Sequence, residues 1–156
     1  MHTHDYYMEI ALEEANMAGH EEEVPVGAVA VVGDSVIARA HNSVIKLNDP
    51  SAHAEMLVLR EAGLKLGNYR LTELRLYVTI EPCIMCAGAM INARIKQLVF
   101  GAYDNKAGAI TLFDLFNNDK LNHRIEVVHG VLEQKASKLL REFFKDKRHK
   151  NSNLHI

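Results

Sequence analysis

Short apolar runs that alternate with helix-like segments constrain the fold of this chain more than any other feature of its sequence. Residues 24–32 are almost wholly apolar and are followed by Gly33-Asp34 and by a second run at residues 35–40, a pattern that predicts two strands joined by a tight turn. Further β-rich runs predict three more strands, at residues 74–80, 97–102 and 124–128. The chain is therefore predicted to contain five strands.

Helical segments separate or flank these strands. Residues 5–18 carry apolar side chains three and four positions apart, and Ser51 is a suitable N-cap for a helix over residues 52–62. Pro82 is well placed as the first residue of the next helix, because proline is favoured at a first helical position. Two more helices are predicted, one within residues 111–118 and a long final one from Leu132 onward.

Strands that alternate with helices imply a central sheet with helices packed on both faces, and later strands that are joined through helices are expected to be parallel. At 156 residues the chain has the usual size of one domain. We therefore expect an α/β fold of three layers, α/β/α, formed by a single domain over residues 1–156.

The N-terminal sequence, the lengths of the apolar runs and the charge restrict the expected compartment and class of partner. The first residues, MHTHDYYMEI, lack the basic flank and apolar stretch of a secretory signal, and no apolar run approaches the roughly 20 residues that span a bilayer, so we expect a cytoplasmic protein. The net charge of −2 argues against a surface coated with positive charge for nucleic acid. Residues 138–150 hold six Lys or Arg against two acids, which indicates either a local phosphate-binding surface or a solvated amphipathic helix.

The chain has only two cysteines, Cys83 and Cys86, and it carries His53-Ala54-Glu55 upstream of them. Thiolate and imidazole suit zinc, and three protein ligands leave the fourth tetrahedral position for water, as in a catalytic site. The cysteine count excludes a structural site built from three or four thiolates. Of the nine histidines, only His53 is assigned a metal role. The pattern therefore predicts one catalytic zinc ion bound by His53, Cys83 and Cys86.

Glu55 has the right chemistry to move protons at this site. His53 and Glu55 are two apart and cannot share a lateral helix face, but in a first turn both can border a point beyond the helix N-terminus. Cys83 lies at another predicted helix start, whose positive end favours the thiolate form. We therefore expect two helix N-termini to converge on the metal. A zinc-activated water with Glu55 as proton carrier describes hydrolytic deamination.

A strand followed by Cys-x-x-Cys at a helix start is also typical of thioredoxin-like redox pairs. A redox pair gives no role to His53 or Glu55, so we favour the metal site. Metal content separates the two hypotheses: clearly less than one zinc per chain, with Cys83 and Cys86 joined as a disulfide, would support the redox pair.

The order His-x-Glu followed by Pro-Cys-x-x-Cys is the signature of the zinc nucleobase deaminases. Beyond this signature, the chain closely resembles the bacterial tRNA-specific adenosine deaminases of TadA type, in the cytidine/deoxycytidylate deaminase superfamily, over nearly its whole length. The sequence departs from the family pattern at Ala109-Ile110-Thr111, where small Gly or Ser residues are more usual. The matching stretches are residues 23–29, 41–42, 49–55, 76–79, 81–89, 99–102, 122–124 and 143–144, with Asp104, Lys106 and Gly108.

This resemblance implies a cytidine deaminase-like fold with a five-stranded mixed sheet, one zinc ion per subunit and a homodimer. It implies hydrolytic conversion of adenosine to inosine at the wobble position of the tRNA anticodon. Asn42 would contact the flipped base. The groove for the anticodon stem-loop would be lined by residues 102–108, including Asp104, and by the C-terminal helix around Phe143, Phe144 and Arg148.

Two other functions stay open at this point. Zinc and Glu55 do not distinguish tRNA from a free base or nucleoside such as guanine or cytidine, whereas residues 122–124 and the basic aromatic C-terminal helix favour RNA. The chain could instead be a catalytically silent RNA-binding subunit that keeps the zinc fold as a scaffold. Glu55 argues against that hypothesis.

Overall fold

The structure is a computed structural model that describes residues 2–153. The predicted domain of residues 1–156 also includes Met1 and residues 154–156, which lie outside the described residues. The strands of the described part are β1 (Gly27–Val32), β2 (Ser35–His41), β3 (Leu74–Ile80), β4 (Gln97–Ala102) and β5 (Glu126–Val128). Its α-helices are α1 (His4–His20), α2 (Val44–Leu47), α3 (Ala54–Leu66), α4 (Ile84–Ala93), α5 (Ala109–Phe113) and α6 (Glu133–Asn153), and a 3-10 helix follows α5 at Leu115–Asn117.

The strands form one sheet in the order β2-β1-β3-β4-β5. β1 is antiparallel to β2, to which the turn at Gly33-Asp34 joins it, and it is also antiparallel to β3. β3, β4 and β5 are parallel, since helices connect them and return the chain to the same end of the sheet. The predicted five-stranded mixed sheet is therefore confirmed.

Helices cover both faces of this sheet because side chains alternate along its strands. On β1, Ala28 and Ala30 face one core cluster, whereas Val29 and Val31 face the other. The first cluster includes Val58 of α3 and Met90 of α4, and the second includes Met8 of α1 and Ala136 of α6. The predicted three-layer α/β/α architecture is confirmed.

The final helix, α6, packs on the sheet near its start and is mostly exposed further along. Ala136 is 2% exposed and belongs to the core, whereas Phe144 is 43% exposed.

In residues 2–153, no helix combines the length and the apolar character needed to cross a membrane.

A short helix, α2, lies in the polar segment of residues 41–51, which the loop signal Asn48-Asp49-Pro50 predicts to be a loop. Its four residues are too few to show periodicity. The amides of Ile45 and Lys46 donate to the buried carboxylate of Glu23, at 3.1 and 2.9 Å. The helix therefore depends on a contact with a residue more than twenty positions earlier in the chain.

The helices α3 and α4 each begin two residues later than predicted. Ser51 is not the N-cap of α3, because its hydroxyl donates to Asp49 Oδ1 at 2.7 Å, and His53 occupies the N-cap position instead. Pro82 precedes α4, whose N-cap is Cys83. Both shifts place a predicted metal ligand at the entrance of a helix.

Candidate metal and catalytic site

Two helix N-termini meet near the carboxyl end of β3. α3 begins after His53, and α4 begins after Cys83, which is separated from β3 only by Glu81 and Pro82. Neither N-cap side chain makes a capping hydrogen bond, so both are available as ligands. The two helices contact each other, and the predicted convergence of their N-termini is confirmed.

The side chains of His53, Cys83 and Cys86 face one another. His53 Nδ1 lies 3.6 Å from Cys83 Sγ and 3.5 Å from Cys86 Sγ. Nitrogen at about 2.0–2.1 Å and sulfur at about 2.3 Å from a tetrahedral zinc ion are themselves roughly 3.5–3.6 Å apart. The donor set and its spacing therefore fit zinc. Among residues 2–153 no second cluster of this kind occurs, and His155 lies outside them.

Hydrogen bonds within the cluster shift the pKa values of its two thiols in opposite directions. The bond between the Cys86 thiol and Cys83, helped by a second bond from His53, lowers the pKa of Cys83 to about 4. The same bond and burial raise the pKa of Cys86, and the bond to Cys83 raises the pKa of His53. Cys83 is therefore a thiolate at neutral pH in the metal-free protein, and the thiolate is the form that binds zinc.

This difference predicts selective alkylation of the metal-free protein. Iodoacetamide reacts with thiolates, so Cys83 is expected to stay reactive as the pH falls from about 8 to about 6, whereas a free thiol of pKa about 8.5 loses nearly all of its thiolate. Cys86 is fully buried and should react slowly. Peptide mass spectrometry measures both, and added zinc should protect both. Equal labelling of the two thiols, or Cys83 labelling with the pH dependence of the free thiol, would contradict the assignment.

Glu55 lies in the first turn of α3, beside the cluster. Its side chain is 3% exposed, and this burial raises the pKa of its carboxyl to about 7. The carboxyl also takes part in a hydrogen bond with the Cys86 thiol. A carboxyl group with a pKa near neutrality can accept and return a proton at similar cost. The structure therefore brings the predicted base to the predicted ligands.

Asn42 follows β2, and its side chain caps α3. The Oδ1 atom accepts a hydrogen bond from the Ala54 N–H at 2.8 Å, which places Asn42 beside the residue that follows His53. Because Oδ1 is engaged, the Nδ2 group is the part of this side chain suited to meet a ligand. The contact of Asn42 with a base stays a prediction.

The segment of residues 102–111, here called the substrate segment, runs from β4 to α5 and borders the cluster. Gly108 forms an antiparallel bridge with Cys83. Asp104 is one of the predicted substrate residues, and its carboxylate accepts hydrogen bonds from the amides of Lys106 and Ala107 at 3.0 and 3.2 Å. In this structure Asp104 therefore shapes the loop, and its contact with substrate stays a prediction.

Glu81 is a further candidate for a functional residue, and no motif in the sequence indicates its role. The side chain is 2% exposed, and its carboxylate accepts four hydrogen bonds from the substrate segment. Its partners are 23 to 30 residues further along the chain. No local pattern signals such a contact, and the position of Glu81 directly before Pro82-Cys83 is the one available indication.

The two aromatic residues predicted to line the RNA groove lie in different cavities. Phe144 and Arg148 line a cavity of about 880 Å³ together with Lys106 of the substrate segment. Phe143 lines another cavity, of about 400 Å³, between α6 and the end of α1. The structure therefore brings Phe144 and Arg148 to the substrate segment and leaves Phe143 outside that group.

Comparisons with known proteins agree with this site. The family model for MafB19-like deaminases matches residues 2–148. The chain is 47% identical over 147 residues to a tRNA-specific adenosine deaminase of Bacillus subtilis, which covers 94% of this chain and 91% of that protein. By both comparisons the likeness extends over nearly the whole chain.

Solved structures extend the likeness to the fold. A structure from a study of A-to-I editing by tRNA:A34 deaminases at the wobble position of transfer RNA is 45% identical with a TM-score of 0.84, covering 86% of this chain and 99% of that chain. A guanine deaminase from Nitrosomonas europaea is 26% identical with a TM-score of 0.76, covering 92% of this chain and 85% of that chain. The chain belongs to the MafB19-like deaminase family and, by its similarity to their sequences and fold, to the tRNA-specific adenosine deaminases.

Proposed function

We propose that this protein is a zinc-dependent hydrolase that converts adenosine to inosine at the wobble position of the tRNA anticodon. The observation that carries the proposal is the cluster of His53, Cys83 and Cys86 with the buried carboxyl of Glu55 beside it. Membership of the family supports tRNA adenosine as the substrate. Because tRNA is the proposed substrate, we expect the activity to reside in the cytoplasm.

We propose that His53, Cys83 and Cys86 hold one zinc ion per subunit. Their separations match those of ligands around a tetrahedral ion, and two thiolates with one imidazole suit zinc. When bound, zinc supplies the positive charge that makes water a nucleophile near neutral pH. These side chains would hold the ion at two helix N-termini, which are themselves fixed by packing on the sheet.

Glu55 is proposed to carry the protons of the reaction. Deamination replaces the 6-amino group of adenine by an oxygen atom from water and releases ammonia. One proton leaves the water as its oxygen attacks C6, and it is passed to the adjacent ring nitrogen N1. A second proton leaves the new C6 hydroxyl and protonates the departing amine, so that ammonia leaves and the C6 carbonyl of inosine remains. With a pKa of about 7, the Glu55 carboxyl can take each of these protons and pass it on.

We propose that the 880 Å³ cavity binds the anticodon stem-loop. Lys106, Lys145 and Arg148 can neutralise phosphates, and Phe144 offers a ring for stacking. Lys106 belongs to the substrate segment, whose Gly108 contacts Cys83, so one loop connects the cavity to the metal cluster. An unpaired base of an RNA loop can be turned out towards a pocket at low cost. Asn42 and Asp104 are proposed to bind that base.

Removal of positive charge from this cavity is expected to weaken RNA binding. In the double variant Lys145→Gln/Arg148→Gln, KM for an anticodon stem-loop should rise by about tenfold, and the salt dependence of log KM should become shallower by about 0.7 per lost phosphate contact. Lys65→Gln/Lys135→Gln removes the same charge outside the cavity and serves as the control. Equal effects of the two double variants would count against a specific groove.

The substrate itself is tested by offering the zinc-loaded protein a tRNA anticodon stem-loop, adenosine, cytidine and guanine. We expect inosine in the stem-loop at the wobble position, detected by mass spectrometry of the digested RNA. Turnover of guanine with none on RNA would overturn the proposal and favour the chemistry of the guanine deaminase neighbour. Tight RNA binding without any turnover would favour a silent binding subunit.

We also propose that the protein is a homodimer that pairs through the face formed by α3 and α4. Leu64 and Tyr69 are 85% and 73% exposed, and they border an apolar cavity of about 720 Å³ with Leu59 and Leu71. Contiguous apolar surface of this kind is typical of a protein interface.

Light scattering of the protein should give twice the chain mass of 17.5 kDa. Leu64→Asp should shift the protein to monomer, whereas Met17→Asp, at an exposed position of α1, should not.

A further inference from the structure

Glu81 is a buried carboxylate whose hydrogen-bond partners are all neutral groups of the substrate segment. Oε1 accepts from the Asp104 N–H at 3.0 Å and from the Thr111 hydroxyl at 2.6 Å. Oε2 accepts from the Ile110 and Thr111 N–H groups at 2.9 and 2.7 Å. A buried carboxylate is costly unless it is fully hydrogen-bonded, and bonds to a charged acceptor are the stronger kind. The four bonds therefore hold both ends of the segment tightly.

The backbone beside Glu81 is joined to the same segment. The Glu81 N–H donates to the Ala102 carbonyl at 2.8 Å, and the Ala109 N–H donates to the Pro82 carbonyl at 2.9 Å. The next residue, Cys83, pairs with Gly108. The side chain and the main chain together fix residues 102–111 against the residue that binds the metal in our proposal.

Gly108 is needed for this close approach. A Cβ atom at that position would lie 2.2 Å from the Glu81 carboxyl carbon and from Oε2. The residue has ordinary extended backbone, with a φ of −66°, so space rather than conformation requires glycine. Nothing larger than glycine leaves the carboxylate in place.

We infer that Glu81 is a positioning residue that sets the substrate segment in register with the metal-binding helix. Within this segment, Gly108 forms a backbone bridge with Cys83, and Lys106 lines the cavity that also contains Phe144 and Arg148. Its placement therefore sets the separation between the site where the base reacts and the groove that holds the RNA backbone. This inference rests on the proposed function, because it assigns that groove to RNA.

Glu81→Gln is the variant that tests the inference. Glutamine keeps one carbonyl oxygen but turns an NH2 group towards backbone N–H donors, so at least one of the three N–H bonds to this side chain is lost. We expect KM for the anticodon stem-loop to rise by about tenfold, with kcat changed by less than about threefold and zinc still at one per chain. Hydrogen–deuterium exchange should increase in residues 103–111, with protection of β3 and α4 unchanged.

A second pair of variants covers the case in which Glu81→Gln fails to fold. Thr111→Val removes the hydroxyl that donates to Oε1 and keeps the shape of the side chain, and Thr111→Ser keeps the hydroxyl. Thr111→Val is expected to raise KM by roughly threefold with the same local increase in exchange. Thr111→Ser should behave as the wild-type protein does.

The outcomes separate the inference from the proposed function. Wild-type KM in Glu81→Gln or, if that variant does not fold, in Thr111→Val would overturn the inference, as would zinc loss with an unchanged exchange pattern in residues 103–111. A loss of thermal stability without any change of KM would reduce Glu81 to a structural residue. A wild-type protein that is inactive on RNA would overturn the proposed function instead, whereas the exchange experiment would still show whether Glu81 holds the segment.

Discussion

Glu55→Gln is expected to lower kcat on a tRNA anticodon stem-loop by roughly 10²–10⁴-fold, the usual contribution of a positioned general acid–base group. Glutamine has nearly the same shape as glutamate but cannot exchange a proton near neutral pH. The carboxyl of Glu55 can do so, because burial raises its pKa to about 7. KM should change little, since the substitution leaves the base pocket and the RNA groove in place.

The experiment compares kcat, KM and zinc content of Glu55→Gln with those of Glu61→Gln. Glu61 lies on the same helix, pairs with Lys65 at the surface and is not assigned to the site, so its variant should behave as the wild type does. Zinc should stay at one per chain in both proteins, because Glu55 is not a proposed ligand. Full activity in Glu55→Gln would disprove the proton-transfer role. Loss of zinc together with activity would show that Glu55 acts on the metal site instead.

Cys86→Ala is expected to abolish zinc binding and with it the deaminase activity. The Cys86 thiol is fully buried and lies 3.5 Å from His53 Nδ1, and alanine supplies no ligand atom at this position. Metal activation of water accounts for several kcal/mol of the barrier, and its loss should reduce kcat by roughly 10³-fold or more. Zinc per chain, measured by atomic emission, should fall far below one.

Controls distinguish loss of the metal from loss of the fold. Met85→Leu changes one of the two side chains between the cysteines without changing a proposed ligand, and His20→Ala removes an exposed histidine, so both variants should keep zinc and activity. Chelation of the wild-type protein should abolish activity, and added zinc should restore it. Activity in a zinc-free Cys86→Ala protein would contradict a metal-dependent reaction. Zinc bound at full occupancy by Cys86→Ala would contradict the ligand assignment.

Much of the fold could be predicted from sequence because its elements are encoded locally. The apolar run of β1 and the three- and four-residue spacing on α1 are properties of neighbouring residues. The helix α1 forms within two residues of its predicted bounds, and β1 begins three residues later than predicted and ends where predicted. The parallel pairing of β3, β4 and β5 follows from their helical connections, because a crossover helix returns the chain to the same end of the sheet. The short helix α2 was missed because its amides are satisfied by Glu23, which precedes it in a separate part of the chain.

The same distinction applies to the candidate site. Its donors could be named in advance, because His-x-Glu and Pro-Cys-x-x-Cys place imidazole, carboxyl and thiol groups at helix starts, where a metal and a thiolate are favoured. The cap of α3 could not be predicted. Ser51 has the right residue type, but its hydroxyl bonds to Asp49, and Asn42 reaches the Ala54 amide from the end of β2.

The chemistry of the cluster can be read from the sequence alone, because residue types identify the side chains that can bind zinc and the one that can move protons. The arrangement of the rest of the molecule around that cluster depends on the three-dimensional fold. The fold brings Glu81 to the N–H groups of Asp104 and Thr111, from which it accepts hydrogen bonds. It also places the neighbouring residues Phe143 and Phe144 in two different cavities. Residue type and local spacing specify donor atoms and periodicity, whereas partners 23 to 30 residues apart meet only when the sheet brings them together.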